Sequence, residues 1–105
     1  MDRDATYKKD TLDAVKKIEE YISRMSQEQF FDDSRTHDAA IRQLQIIGEA
    51  SKRLSVEFKT STTNAPWKKI AGTRDVLIHD YGEVDIDLVW KIIKDDLPAL
   101  KSALE

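Results

Sequence analysis

The chain has 105 residues, 35% of them charged and 40% hydrophobic, a balance that fits one globular core and excludes both a disordered and a membrane-spanning chain. Lys and Arg number 17 against 20 Asp and Glu, a net charge of -3, so no overall positive field attracts nucleic acid and a polyanion partner must be held by a local patch. Cysteine is absent, which excludes disulfides and thiolate metal sites; with no apolar leader in "MDRDATYKKD", a cytoplasmic protein of a single domain over 1–105 is expected.

The hydrophobic period is helical throughout. Leu12, Val15, Ile18, Ile22 and Met25 recur at spacings of three and four and predict an amphipathic helix from about Ala5 to Arg24. "SQEQFFDD" reads as a short helical turn whose Phe30 and Phe31 cap the core. A long helix is predicted from about Ser34 to Phe58, with Ala40, Leu44, Ile47, Leu54 and Phe58 on one stripe and Ile41 and Ile46 outside it, so that more than one side is covered. Gly48 lies mid-helix, where glycine costs about 1 kcal/mol relative to alanine, and close approach of another helix is the expected compensation.

"KTSTTNAPW" is the one loop-like stretch, ending in a Pro suited to a helix start, and it separates two helical hairpins. The last segment, about Ile86 to Leu104, carries Val89, Trp90, Ile93, Leu97 and Leu100 at helical spacing, and Pro98 should kink it or restart it. These elements make an all-α fold, an antiparallel helical bundle of four main helices plus a short helix.

Between loop and last segment lies "AGTRDVLIHDYGEVD", with Arg74, His79 and Tyr81 threaded through Val76, Leu77 and Ile78. Thr73 reads as an N-cap and Gly82 as the C′ residue of a short helix. At about 100° per residue, Leu77, Ile78 and Tyr81 project within roughly 60° of Arg74 while Val76 points away. Such a helix is apolar nearly all round, and a bundle of this size has no interior place for it. One side therefore meets the bundle and another a second copy of the chain.

Asp75 and His79 are four apart, where a carboxylate can fix the imidazole tautomer and leave the other nitrogen free for proton transfer. Arg74 lies about 140° round the helix from His79, so their head groups converge only if the long side chain wraps or a second subunit contributes. The same residues also admit a plain reading, with His79 and Asp75 complementing the helix dipole, Arg74 as a surface ion-pair partner and Tyr81 as a core residue. His37 is read as structural. Lys52, Arg53, Lys68 and Lys69 are either ordinary solvated surface or a basic rim for RNA phosphates. With two histidines far apart and no HExxH pattern, no metal site and no cofactor can be argued.

"TRDVLIHDY" resembles the Arg-x4-His-x-Tyr signature of the HepT-like toxins of the HEPN superfamily. The likeness covers nearly the whole chain, since "IEEYI", "DAAIRQLQIIGEA", "PWKKIAGTRDVLIHDY" and "VDIDLVWKIIKDDLPAL" follow in the order that family shows. The resemblance implies a HEPN-like homodimer, a metal-independent endoribonuclease that is the toxin of a toxin–antitoxin pair whose antitoxin is a nucleotidyltransferase. Arg74 and His79 would be catalytic, Asp75 supporting, and Tyr81 the place where the antitoxin attaches AMP. Asp75 stands where Asn is common in the superfamily. A reading from another class keeps the chain non-catalytic, a nucleotide- or substrate-binding partner of a nucleotidyltransferase.

Overall fold

The computed structural model describes residues 3–77 and 84–105, with side chains described for all of them but 74–77. Among the described residues the chain is all helix and turn: α1 (Arg3–Ile22), α2 (Gln27–Asp32), α3 (Ser34–Arg53), α4 (Val56–Ser61), α5 (Trp67–Leu77), α6 (Ile86–Lys91), a π-helical turn (Ile92–Asp96) and α7 (Leu97–Leu104). α1 packs chiefly on α3, and α3 on α5. Fully buried Val15 and Ile18 of α1, Leu44 and Ile47 of α3, Ile70 of α5, Val89 of α6 and Leu100 and Leu104 of α7 meet in one core. Each such side chain contributes about 1.5–3 kcal/mol by leaving water. The expected apolar stripe of α1 is rotated slightly: Leu12 and Met25 are only partly buried, while Ala14 and Thr11 lie inside. Thr11 is tolerated there because its hydroxyl donates to Tyr7 O at 2.8 Å.

Local chemistry explains the breaks. Ser26 caps α2 through a reciprocal box with Gln29, the Gln29 N–H reaching Ser26 Oγ at 3.1 Å and the Ser26 N–H reaching Gln29 Oε1 at 2.8 Å. The box sets Phe30, fully buried, between the rings of His37 (4.9 Å) and Trp90 (5.0 Å). His37 Nε2 also bonds Phe30 O, so this histidine holds α2 onto α3. Phe31 stays partly exposed and outside the core, unlike the expected pair of capping phenylalanines.

Three expectations are corrected. The long helix does not run to Phe58: it ends at Arg53, Leu54 turns to extended backbone (φ -65, ψ 143), and Ser55 caps a separate α4 by accepting from Phe58 N at 3.0 Å. Two short helices, α2 and α4, therefore accompany the main ones rather than one. Thr73 is no N-cap, because α5 already starts after Pro66, with Ile70 N bonded to Pro66 O at 3.0 Å. Thr73 sits inside α5, 1% exposed, its hydroxyl donating to Lys69 O at 3.2 Å. Gly48 has no helix pressed on it: a Cβ built there meets nothing within 4 Å.

The last segment does restart at its proline. Pro98 lacks an N–H and would clash with the carbonyl four residues back. The backbone widens just before it, with Leu97 N–H bonded to Ile92 O, and α7 begins with Pro98 in its first turn. The proposed C′ residue Gly82 lies outside the described residues.

Candidate active site and its flanking groove

α5 is the helix on which the signature begins, and its placement follows from one apolar face. Ile70 is fully buried and Thr73 nearly so. Being three apart, they turn the same side of α5 to the core, against α3 and the π-helical turn. The helical backbone continues through Arg74 and Asp75 to Leu77. Position 74 is one turn on from Ile70, at the edge of the packed face. His79 and Tyr81 lie outside the described residues, as does the pairing of Asp75 with His79.

Of the four basic residues, Arg53 and Lys52 line different grooves and Lys69 reaches the last segment. Lys69 Nζ lies 3.9 Å from Asp96 Oδ1 of the π-helical turn, an ion pair that joins α5 to the last segment. Burial pushes the Asp96 carboxyl above the ordinary range, an effect that Lys69 opposes and Asp95 reinforces. Lys68 is exposed one residue earlier. Arg53 turns toward α1, its guanidinium 6.0 Å from the Tyr7 ring centroid, in a groove shared with Arg42 and Glu49. Its neighbour Lys52 lines a different groove.

That second groove, about 280 Å³, lies between α3, α4 and α5 and is lined by Gly48, Glu49, Ser51 and Lys52, by Lys59, and by Trp67 and Ala71. Trp67 is half-buried and firmly held, its indole N–H donating to Thr62 O at 2.9 Å and its ring meeting Phe58 edge-on at 6.4 Å. Ser51 is 5% exposed, and its Oγ has no hydrogen-bond partner. Ala71 stands three residues before Arg74, one turn along α5. Sequence reasoning found Lys52 but not Lys59, Ser51 or Trp67; the mid-helix Gly48 was the available sign, read as a close approach rather than an opening. Among the described residues no three His, Asp or Glu side chains gather as a metal would require, and no helix is long and apolar enough to cross a membrane.

An all-α bundle whose sequence carries Arg-x4-His-x-Tyr from α5 onward is the architecture of small HEPN-type ribonucleases. Residues 11–105 match the family described as "Ribonuclease HepT-like", and the chain belongs to that family. "Probable ribonuclease HepT" of Thermococcus cleftensis is 42% identical over 99 residues, covering 94% of this chain and 90% of that protein. "Putative RNase MJ1380" of Methanocaldococcus jannaschii is 36% identical over 96 residues, 91% of this chain and 88% of the relative. "Gamma-glutamylcyclotransferase and putative RNase MJ0434" of the same organism is 41% identical over 93 residues, which are 89% of this chain but 42% of that longer protein. No solved structure matches the chain.

Proposed function

We propose that this chain is a metal-independent endoribonuclease, folded as one HEPN-like domain over 1–105, in which His79 moves protons and Arg74 stabilises charge. The observation that carries the reading is the Arg74-x4-His79-x-Tyr81 spacing in a chain of the HepT-like ribonuclease family. Cleaving RNA without a metal needs a base for the 2′-OH, a cation for the phosphorane and a proton for the leaving oxygen. His79 takes the 2′-OH proton as the 2′-oxygen bonds to phosphorus. Arg74 neutralises the charge that gathers on the phosphoryl oxygens. The bond to the 5′-oxygen breaks, the His79 imidazolium returns its proton to that oxygen, and a 2′,3′-cyclic phosphate remains. Asp75 supports the site by holding the imidazole tautomer.

The site is completed in a homodimer: at about 100° per residue a helical register would set Arg74 and His79 about 140° apart, a separation that a second copy of the chain closes. In the cell the chain is the toxin of a toxin–antitoxin pair, and a nucleotidyltransferase antitoxin silences it by adding AMP to Tyr81. A phosphodiester there puts negative charge and bulk where RNA would lie beside Arg74. Expression of the chain alone should arrest growth, and co-expression of the nucleotidyltransferase should relieve the arrest and add AMP mass to the Tyr81 peptide. A Tyr81→Phe chain that still gains that mass on the same peptide and is still silenced would refute the assignment. Expression without arrest would favour the non-catalytic nucleotide-binding reading.

A further inference from the structure

Four features of the α3–α4–α5 groove call for one explanation. Ser51 Oγ is buried in its wall with no partner, although buried hydroxyls are almost always paired. Lys52 and Lys59 line the same groove, and neither forms an ion pair among the described residues. An aromatic ring fixed by its own hydrogen bond and an edge-on neighbour forms another wall. Gly48 keeps the floor open: a Cβ built there meets nothing within 4 Å. At about 280 Å³ the space lies just below the range of drug-sized ligand pockets, which suits a single nucleotide.

We propose that this groove is a subsite for one nucleotide of single-stranded RNA, its base on Trp67, a polar edge at Ser51 Oγ and its phosphate between Lys52 and Lys59. A fixed aromatic platform beside cations is how single strands are held without sequence preference. Glu49 on the same wall opposes a second phosphate and limits the site to one residue. Because Ala71 is one turn from Arg74, the nucleotide held here flanks the cleaved bond and sets its register. The subsite rests on the ribonuclease reading but is separable from it, because it concerns binding and not chemistry.

The test uses an uncleavable 2′-fluoro RNA of about eight nucleotides, within the site sizes known for single-strand binders, and a Trp90→Phe chain in which Trp67 is the remaining indole of the two. Saturating RNA should quench Trp67 fluorescence. Gly48→Leu places its Cβ in open space, projects its side chain into the groove and replaces a mid-helix glycine by a good helix former; it should keep or raise the melting temperature yet weaken binding about tenfold or more. Lys52→Gln with Lys59→Gln should flatten the slope of log affinity against log salt by about 0.7 for each phosphate no longer neutralised. Binding that leaves Trp67 unquenched, or that ignores both the Gly48 and the lysine changes, overturns the subsite and leaves the ribonuclease reading intact. If light scattering shows that Gly48→Leu splits a dimer while the salt slope is untouched by the lysine changes, the groove is an interface between copies and the proposal fails. If the wild-type chain neither binds this RNA nor cleaves its all-ribose counterpart, both readings fall together.

Discussion

Asp4, in the first turn of α1, accepts two hydrogen bonds from Ser55, 51 positions later: from its backbone N–H at 2.8 Å and from its hydroxyl at 2.6 Å. Ser55 is also the N-cap of α4, so this carboxylate fixes where α4 begins. α4 in turn supplies Lys59 to the groove and Phe58 to the edge of Trp67. An interaction at one end of α1 thus determines the wall of a groove beside the candidate active site.

These bonds hold the Asp4 carboxyl below its ordinary 3.8, the hydroxyl of Ser55 first and its backbone N–H second. A carboxylate whose folded pKa is depressed stabilises the fold fully above 3.8 and loses that contribution as pH falls through the lower folded value. Asp4→Ala should therefore melt below wild type at pH 7, and the gap should close in acid below 3.8. Thermal melts by circular dichroism across that range check it; a gap that persists in acid would mean the residue acts through something other than its charge.

Asp96 has the opposite sign. Burial raises its pKa, so the folded state holds the proton more tightly than the unfolded chain, and stability falls as pH rises from 3.8 through the raised folded value. Asp96→Asn removes that fall, so its advantage over wild type should appear above the folded pKa and vanish in acid. The ion pair with Lys69 that this change removes, Lys69 itself being exposed, is worth at most about 1 kcal/mol. Denaturant midpoints at pH 7 and in acid decide between a gain and a loss.

Ile70 is the side chain that seats α5. Truncation to Ala should cost about 2–5 kcal/mol through reduced burial and the cavity left behind. The same substitution at exposed Val56 should change stability by less than about 0.5 kcal/mol. Urea titrations of the two variants give the comparison, and equal effects would show that α5 is not anchored through this residue.

The parts of this fold that were legible are those set by periodicity. α1, α3 and the last segment announce themselves through apolar residues three and four apart, and Pro98 through its missing donor. The break at Leu54 was hidden because Leu54 and Phe58 continue the stripe of α3 across it. Only the capping hydroxyl of Ser55 marks the new start, and its partner Asp4 is a tertiary one. Thr73 misled for a related reason: its hydroxyl bonds back to Lys69 O within the helix, as a threonine can, instead of capping a new one. Of the candidate site, the spacing of Arg74, His79 and Tyr81 was legible, and the structure adds the helical backbone under Arg74 and Asp75. The groove was not, because it needs three helices brought together and a serine whose burial no sequence displays.

If each cleft draws Arg74 from one chain and His79 from the other, an Arg74→Ala chain paired with a His79→Ala chain rebuilds one complete site of two. Random mixing makes half the dimers mixed, so co-refolding two inactive variants should restore about a quarter of wild-type activity. Verified mixed dimers that stay inactive would place both residues of a site on one chain.

Cleavage of end-labelled RNA in EDTA by the purified wild-type chain and by His79→Ala decides whether the reaction is metal-independent and carried by His79. Wild-type cleavage should be unaffected by the chelator and leave 2′,3′-cyclic phosphate ends. His79→Ala should lose about 10²–10⁴-fold in cleavage, as for a positioned proton-transfer group, and keep the helical circular dichroism of wild type. Wild-type cleavage that disappears with EDTA would show a metal-dependent reaction, and His79→Ala that cleaves as well as wild type would show that His79 is not the proton-transfer group.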